Sequence, residues 1–337
     1  MTREVVLAAV PQGMPRESDF EVREAAGAEP GDGELLVRNV FVSVDPYMRG
    51  RMTGVRTYVA PFAPGDVIDG GAVGQVVTSR ADGFAEGDWV QTMLGWRDVG
   101  VVAAASANKL NPDVAPVSTA LGVLGMPGLT AWVGLVDIAR IEPGETVYVS
   151  GAAGAVGSAA VQIAKLKGCH AIGSAGSDEK VEWLRSLGVE AFNYKTAQLE
   201  KKIDVYFDNV GGDQLELALS KLDTYGRVVA CGAISRYNDP AGPPGPRNMG
   251  FVVTKRLRIQ GFIVTDHFAR FGDFLAEVGP WVASGELQYR ETIVDGLENA
   301  PKAFAGLFTG DNTGKMLVRV SLGACDSRAA EPPSVTG

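Results

Sequence analysis

The residues whose spacing is most specific for chemistry are three glycines in the stretch Val147-Tyr-Val-Ser-Gly151-Ala-Ala-Gly154-Ala-Val-Gly157. An apolar, β-branched run precedes them and an Ala-rich run follows. The pattern predicts a strand, a tight turn and a helix. Glycines let such a turn tighten and let backbone amides approach an anion, which the free N–H groups and dipole of the helix N-terminus then hold. The chemistry this suits is binding the pyrophosphate of a dinucleotide. The spacing is Gly-x-x-Gly-x-x-Gly rather than Gly-x-Gly-x-x-Gly. Close packing of a helix on a strand asks for the same glycines, so the motif needs its context.

The next strand selects the dinucleotide. Sites for NAD place Asp or Glu at its end to hold the ribose hydroxyls. Here the end reads Ile172-Gly-Ser-Ala-Gly-Ser177, with Lys180 one turn into the following helix. No acid repels a 2′-phosphate and a lysine can reach it, so NADPH/NADP+ is the expected cofactor. Metal chemistry has little to work with. Catalytic zinc asks for about three Cys, His or carboxylate ligands, and the chain has only His170 and His267, with Cys169, Cys231 and Cys325 unclustered. No metal site is expected, and carbonyl activation falls to hydrogen-bond donors.

These groups need a scaffold, and the chain supplies two textures. Runs at 34–44, 70–78, 89–93 and 99–104 read as strands broken by turns, without long helices between them. They predict a small antiparallel barrel. Residues 118–138 read as helices around a Met126-Pro127-Gly128 turn. Strands expected at 146–150, 170–174, 205–208, 227–231 and 257–264 then alternate with helices at 155–167, 178–187, 214–222 and 268–284, the pattern of a parallel sheet with right-handed crossovers. The expected fold class is α/β: a Rossmann parallel-sheet domain plus an antiparallel β-barrel substrate domain. The domain plan is residues 1–120 for the barrel, 121–290 for the NADPH-binding domain, 291–322 returning to the barrel, and 323–337 a disordered tail.

Bulk properties narrow the partners. Net charge is −9, which argues against nucleic acid or an anionic membrane as the main partner. The longest N-terminal apolar run, Val5 to Val10, is too short to span a bilayer. Three cysteines without disulfide spacing fit a reducing, cytoplasmic compartment.

Several segments together resemble a known family. They are Val44-Asp-Pro-Tyr-Met-Arg-Gly50, Leu121 to Ala131, Gly151 to Gly157, Phe207-Asp-Asn-Val-Gly-Gly212, Cys231 to Tyr237, Gln260 to Val264 and Gly310-Asp-Asn-Thr-Gly-Lys315. The chain resembles the zinc-independent medium-chain dehydrogenases/reductases, in the branch of leukotriene/prostaglandin reductases and alkenal double-bond reductases, especially bacterial curcumin reductase-like members. The resemblance implies a GroES-like barrel beside the Rossmann domain. It implies a homodimer that reduces the carbon–carbon double bond of a small-molecule enone or enal with NADPH. It puts the pyrophosphate turn on Gly154, Ala155, Val156 and Gly157, and the 2′-phosphate contacts on Lys180 and Tyr194. The nicotinamide half falls to Asn209, Cys231, Gly232, Ala233, Ile234, Ser235, Tyr237, Phe262, Ile263, Val264 and Asn312. Tyr47, Met126 and Thr130 form the substrate pocket wall.

Two departures stand out. Phe268 occupies the slot where related reductases carry a tyrosine, and the stretch from Lys195 to Lys202 is short. The expected reaction is hydride addition to the β-carbon, with Tyr47 or His267 as catalytic donor to the enolate oxygen. From the residues alone, a quinone reductase on the same scaffold, a non-catalytic NADPH-binding protein and, least favoured, a zinc alcohol dehydrogenase stay open.

Overall fold

The computed structural model describes residues 1–239 and 245–320. The expected tail 323–337, with Cys325, lies outside the described residues. Two compact units emerge. The first holds Met1–Leu121, Thr292–Thr309 and the strand residues from Met316; the second holds Gly122–Glu291 and Gly310–Lys315.

The first unit opens with an antiparallel pair, β1 (Thr2–Leu7) and β2 (Phe20–Ala25). Then come β3 (Glu34–Ser43), a short helix α1 (Tyr47–Arg51), β4 (Ala72–Ser79), β5 (Trp89–Thr92), β6 (Val99–Ala103) and β7 (Asn108–Leu110). All their pairings are antiparallel. The long β3 pairs with both β4 and β6, and its register on β4 shifts between Asn39 and Phe41. Gly74 lies opposite that bulge, where a β-carbon would sit 2.2 Å from the Arg38 carbonyl oxygen. Only glycine allows this approach. Leu35, Val37, Val42, Trp96 and Phe304 fill the core, with Phe20, Trp96 and Phe304 rings 5.6–6.2 Å apart.

In the second unit the expected Met126-Pro127-Gly128 turn is a helix start. Met126–Val133 is α2, with Pro127 in its first turn. Proline is tolerated there because its missing N–H has no helical acceptor. A π-helical stretch, Gly134–Ala139, follows. The alternating part runs β8 (Thr146–Val149), α3 (Ala155–Leu166), β9 (His170–Ala175), α4 (Asp178–Ser186), β10 (Glu190–Asn193), β11 (Ile203–Asp208), α5 (Gly212–Lys221), β12 (Leu222–Ala230), α6 (Gly250–Thr254), β13 (Arg258–Gly261) and α7 (Phe271–Ser284). The strand expected at 257–264 is shorter because its pairing with β12 ends at Gly261 opposite Ala230. A 3-10 helix, Val264–Arg270, takes the next residues and delays α7 to Phe271. The strand order is β10-β9-β8-β11-β12-β13, with every pairing parallel.

The chain then returns to the first sheet. β14 (Glu291–Asp295) and β15 (Lys315–Arg319) flank α8 (Ala300–Thr309), and β15 pairs with β3. The completed sheet runs β14-β15-β3-β4-β5-β7, with β6 on β3. No helix among the described residues is long and apolar enough to cross a membrane.

Candidate coenzyme site

In the parallel sheet the strand order reverses between β8 and β11. Open sheets of this kind bind ligands outside the carboxyl ends of the strands at such a point. The three glycines sit there. Gly151 turns the chain with φ +58. A β-carbon on Gly157 would lie 2.3 Å from the Gly151 carbonyl oxygen and 2.8 Å from Ala152 Cα, so α3 approaches its strand too closely for any side chain. Gly154 is the N-cap of α3 and offers no side-chain acceptor. The first helical bond runs from Ser158 N to Gly154 O at 2.9 Å. The N–H groups of Ala155, Val156 and Gly157 therefore have no acceptor inside the helix. That is a cradle fitted to a pyrophosphate.

Lys180 and Tyr194 both follow the end of β9, Lys180 in α4 and Tyr194 donating its N–H to Ala175 O at 3.2 Å. The Ser177 side chain caps α4 by accepting from Lys180 N. The Lys180 ammonium donates to Gly310 O at 2.6 Å, and its pKa is lowered, mainly by burial. The Tyr194 hydroxyl lies 3.0 Å from where a Gly176 β-carbon would be, so its ring covers that glycine. Asp178 accepts from Asn193 Nδ2 at 2.7 Å, and the charges of Asp311 and Glu179 act on the Lys180 ammonium against the effect of burial. The downstream segment lies alongside: Gly314 N donates to Ala153 O at 2.7 Å, and Asn312 Nδ2 donates to Gly314 O at 2.7 Å.

Beyond the reversal point, Asn209 ties β11 to the glycine turn, its Nδ2 donating to Ser150 O at 2.8 Å. Ile234 N donates to Asn209 O at 3.2 Å and Ser235 Oγ to Val210 O at 2.6 Å. Cys231 N and Gly232 N both reach Asp208 O. Ala233 N donates to the Tyr237 hydroxyl at 3.3 Å. Burial pushes the Cys231 thiol up to about 12, and the Asp208 charge adds to the rise.

Sequence reasoning missed a layer of polar groups under these loops. Tyr148 Oη pairs with Ser174 Oγ at 2.8 Å and donates to Gln214 Oε1 at 2.5 Å. Tyr206 Oη donates to Asp208 Oδ1 at 2.7 Å, and the two tyrosine rings stack 5.1 Å apart. Burial raises the Asp208 carboxyl against the opposing pull of its donors.

The other expected site residues are more dispersed. Phe262 and Val264 pack on the core of the second unit, and Ile263 caps the 3-10 helix. His267 stands edge-on to Phe262, ring centres 6.2 Å apart, with Nδ1 3.8 Å from Asp137. Asp137 is held more tightly by Arg270, at 2.8 and 2.9 Å. Phe268 is 50% exposed. Met126 and Thr130 lie one turn apart on α2, and Thr130 Oγ1 donates to Met126 O at 2.8 Å. In the first unit Tyr47 opens α1. Burial, then the Asp45 charge, raise its pKa. No group among the described residues hydrogen-bonds its hydroxyl.

Two family models match. One, an N-terminal domain of oxidoreductases, covers residues 3–110; the other, described as zinc-binding dehydrogenase, covers residues 155–279. The residues do not fit a zinc site: among those described, no group of three or more His, Cys, Asp or Glu could hold a metal ion. The chain is 42% identical to the NADPH-dependent curcumin reductase of Escherichia coli, over 95% of this chain and 97% of that one. It is 40% identical to the NADP(+)-dependent 2-alkenal reductase of Nicotiana tabacum, over 95% and 97%. The crystal structure of CurA from Vibrio vulnificus in complex with NADPH superposes with a TM-score of 0.90 at 41% identity, over 95% of this chain and 99% of that one.

Proposed function

The chain belongs to the medium-chain dehydrogenase/reductase family, in the branch of prostaglandin reductases and alkenal double-bond reductases, and on that premise we propose that it reduces the carbon–carbon double bond of α,β-unsaturated ketones and aldehydes with NADPH. The observation that carries the reading is the end of β9. There the Lys180 ammonium donates to Gly310 O and the Tyr194 ring covers Gly176, while Gly157 of the glycine turn leaves no room for a side chain.

When bound, NADPH supplies the hydride for the enone β-carbon, and a proton from solvent or a donor reaches the α-carbon to complete the saturated product. The chain's residues do the rest. The amides of Ala155, Val156 and Gly157 hold the pyrophosphate. Lys180 and Tyr194 hold the 2′-phosphate. Asn209, Cys231 to Ser235, Tyr237, Phe262 to Val264 and Asn312 orient the nicotinamide half. Met126 and Thr130 form part of the substrate wall. Tyr47 donates to the oxygen on which enolate charge builds. Its raised pKa keeps the phenol protonated, so it acts as a donor and not as a base. His267 is the second candidate donor. The substrate is a small molecule. The working form is a homodimer in the cytoplasm, a reading that rests on the family resemblance and is checked by light scattering and fractionation.

NADPH absorbance followed with a panel of enones, enals and quinones, and with NADH in parallel, tests the proposal. The expected result is NADPH oxidation by a simple alkenone, the saturated ketone as product and little activity with NADH. Turnover of quinones alone makes the protein a quinone reductase. NADPH binding without turnover of any acceptor makes it a binding protein.

A further inference from the structure

Asp208 is the last residue of β11 and stands at the point where the sheet order reverses. Its side chain is 3% exposed. One oxygen, Oδ1, takes four donors: Gly211 N at 2.7 Å, the Tyr206 hydroxyl at 2.7 Å, Val210 N at 3.0 Å and the Ser150 hydroxyl at 3.3 Å. Nothing in the reduction uses this group. A carboxyl taken so far out of water is costly unless it is hydrogen-bonded, and here its bonds converge on one short loop.

That loop is Asn209–Gly211, and it leads into α5 through left-handed backbone that glycine adopts readily. Gly211 and Gly212 have φ +70 and +54. The loop lies against the glycine turn, where a Gly151 β-carbon would touch Val210 Cγ2 at 3.4 Å and Asn209 Cβ at 3.7 Å. Its carbonyls in turn receive Ile234 N and Ser235 N, both at 3.2 Å. Fixing the two amides of Val210 and Gly211 therefore fixes the backbone after β12 as well. A dinucleotide lies across the reversal point, one half on each side. Lys180 is on the β9 side and Asp208 on the β11–β12 side.

We propose that Asp208 is a positioning residue for the nicotinamide half of the coenzyme, acting through Oδ1 on the Asn209–Gly211 loop and, through that loop, on the Ile234–Ser235 backbone. The inference rests on the NADPH site proposed above and predicts an effect confined to one half of it.

The test measures binding of NADPH and of adenosine 2′,5′-bisphosphate to the wild type, Asp208→Asn and Asp208→Ala, with melting temperatures alongside. Asparagine keeps the Oδ1 acceptor but loses the charge assistance, so NADPH binding should weaken by about tenfold or less. Alanine leaves two loop amides without their acceptor, so the loss should exceed tenfold. The bisphosphate should bind all three proteins within about twofold, because its contacts stay on the β9 side. Recovery by asparagine of most of what alanine loses, for NADPH alone, supports positioning. Asparagine and alanine variants that bind NADPH as the wild type does overturn it. So does an equal fall for both ligands in the asparagine variant, even if the alanine variant does not fold. A wild type that fails to bind NADPH overturns the coenzyme reading itself. A wild type that binds NADPH but reduces no enone removes the reaction and leaves the Asp208 comparison decisive.

Discussion

Replacing Lys180 by glutamine should convert a discriminating coenzyme site into an indifferent one. Glutamine keeps much of the length and the hydrogen-bonding capacity of lysine but removes its charge. In the wild type the ammonium is held by Gly310 O at 2.6 Å. A 2′-phosphate carries about −1.5 to −2 at neutral pH. A hydrogen bond to such a charged group is worth roughly 1.5–3 kcal/mol net. Taking about 2 kcal/mol, kcat/KM for NADPH should fall about thirtyfold in Lys180→Gln. For NADH, which lacks the phosphate, it should change little. The pH dependence gives a second check. Burial lowers the Lys180 pKa, so its ammonium loses its proton at a lower pH than an ordinary lysine. Selectivity for NADPH should therefore decline as pH rises through that lowered value, at a lower pH than an ordinary lysine would give. The glutamine variant should lack this alkaline limb, since kcat/KM reports the groups of the free enzyme. The assay is initial rate against each coenzyme at fixed enone, across pH. An equal loss with NADPH and NADH would refute the reasoning. It would mean that Lys180 serves only to hold the Gly310 segment.

Three further outcomes are expected. Tyr47→Phe should lower kcat by roughly 10²- to 10³-fold, the cost of one lost donor to a developing oxyanion, with NADPH affinity unchanged by titration; unchanged turnover removes Tyr47 from the chemistry. Gly157→Ala puts a β-carbon 2.3 Å from the Gly151 carbonyl oxygen, an overpacking that costs about 1–3 kcal/mol and should show as a lower melting temperature and weakened NADPH binding. A variant that melts and binds like the wild type refutes the close approach. The Cys231 thiol, pushed up to about 12, should be thiolate in only about one molecule in ten thousand at pH 8. Alkylation of the native protein followed by peptide mapping should find it almost unmodified, and rapid modification would contradict its environment.

The strand, tight turn and helix around the glycines were legible because glycine spacing carries a backbone requirement directly. Gly151 supplies a positive φ and Gly157 a contact too close for a β-carbon, whereas Gly154, at φ −84, leaves the helix terminus without a side-chain cap. The strand ending at Ala175 was equally readable from its apolar run and the Gly-Ser that follows. The polar layer beneath was not read, though its signal was present. Tyr148 and Ser150, then Tyr206 and Asp208, sit two apart on strands expected to be apolar, and Tyr148 pairs with Tyr206 in register. Polar residues at alternate positions of a buried parallel strand form a line on one face. Met126-Pro127-Gly128 misled because Pro-Gly is a turn signal, while proline equally suits the first turn of a helix. β2 was missed because it is mostly exposed and polar, so it shows no apolar run. What places His267 against Asp137 and Phe262 is tertiary packing, which no local pattern encodes.

The segment around Gly310–Gly314 gives the site a schedule. Lys180 takes its anchor from a carbonyl 130 positions further along the chain, and Gly314 bonds back to Ala153. A chain emerging from the ribosome at about 5–20 residues per second has its glycine turn and lysine for many seconds before that segment follows. A nascent chain stalled near residue 300 should therefore hold NADPH poorly even where its parallel sheet has already formed. Competence for the coenzyme is then expected only once residues 310–314 have emerged.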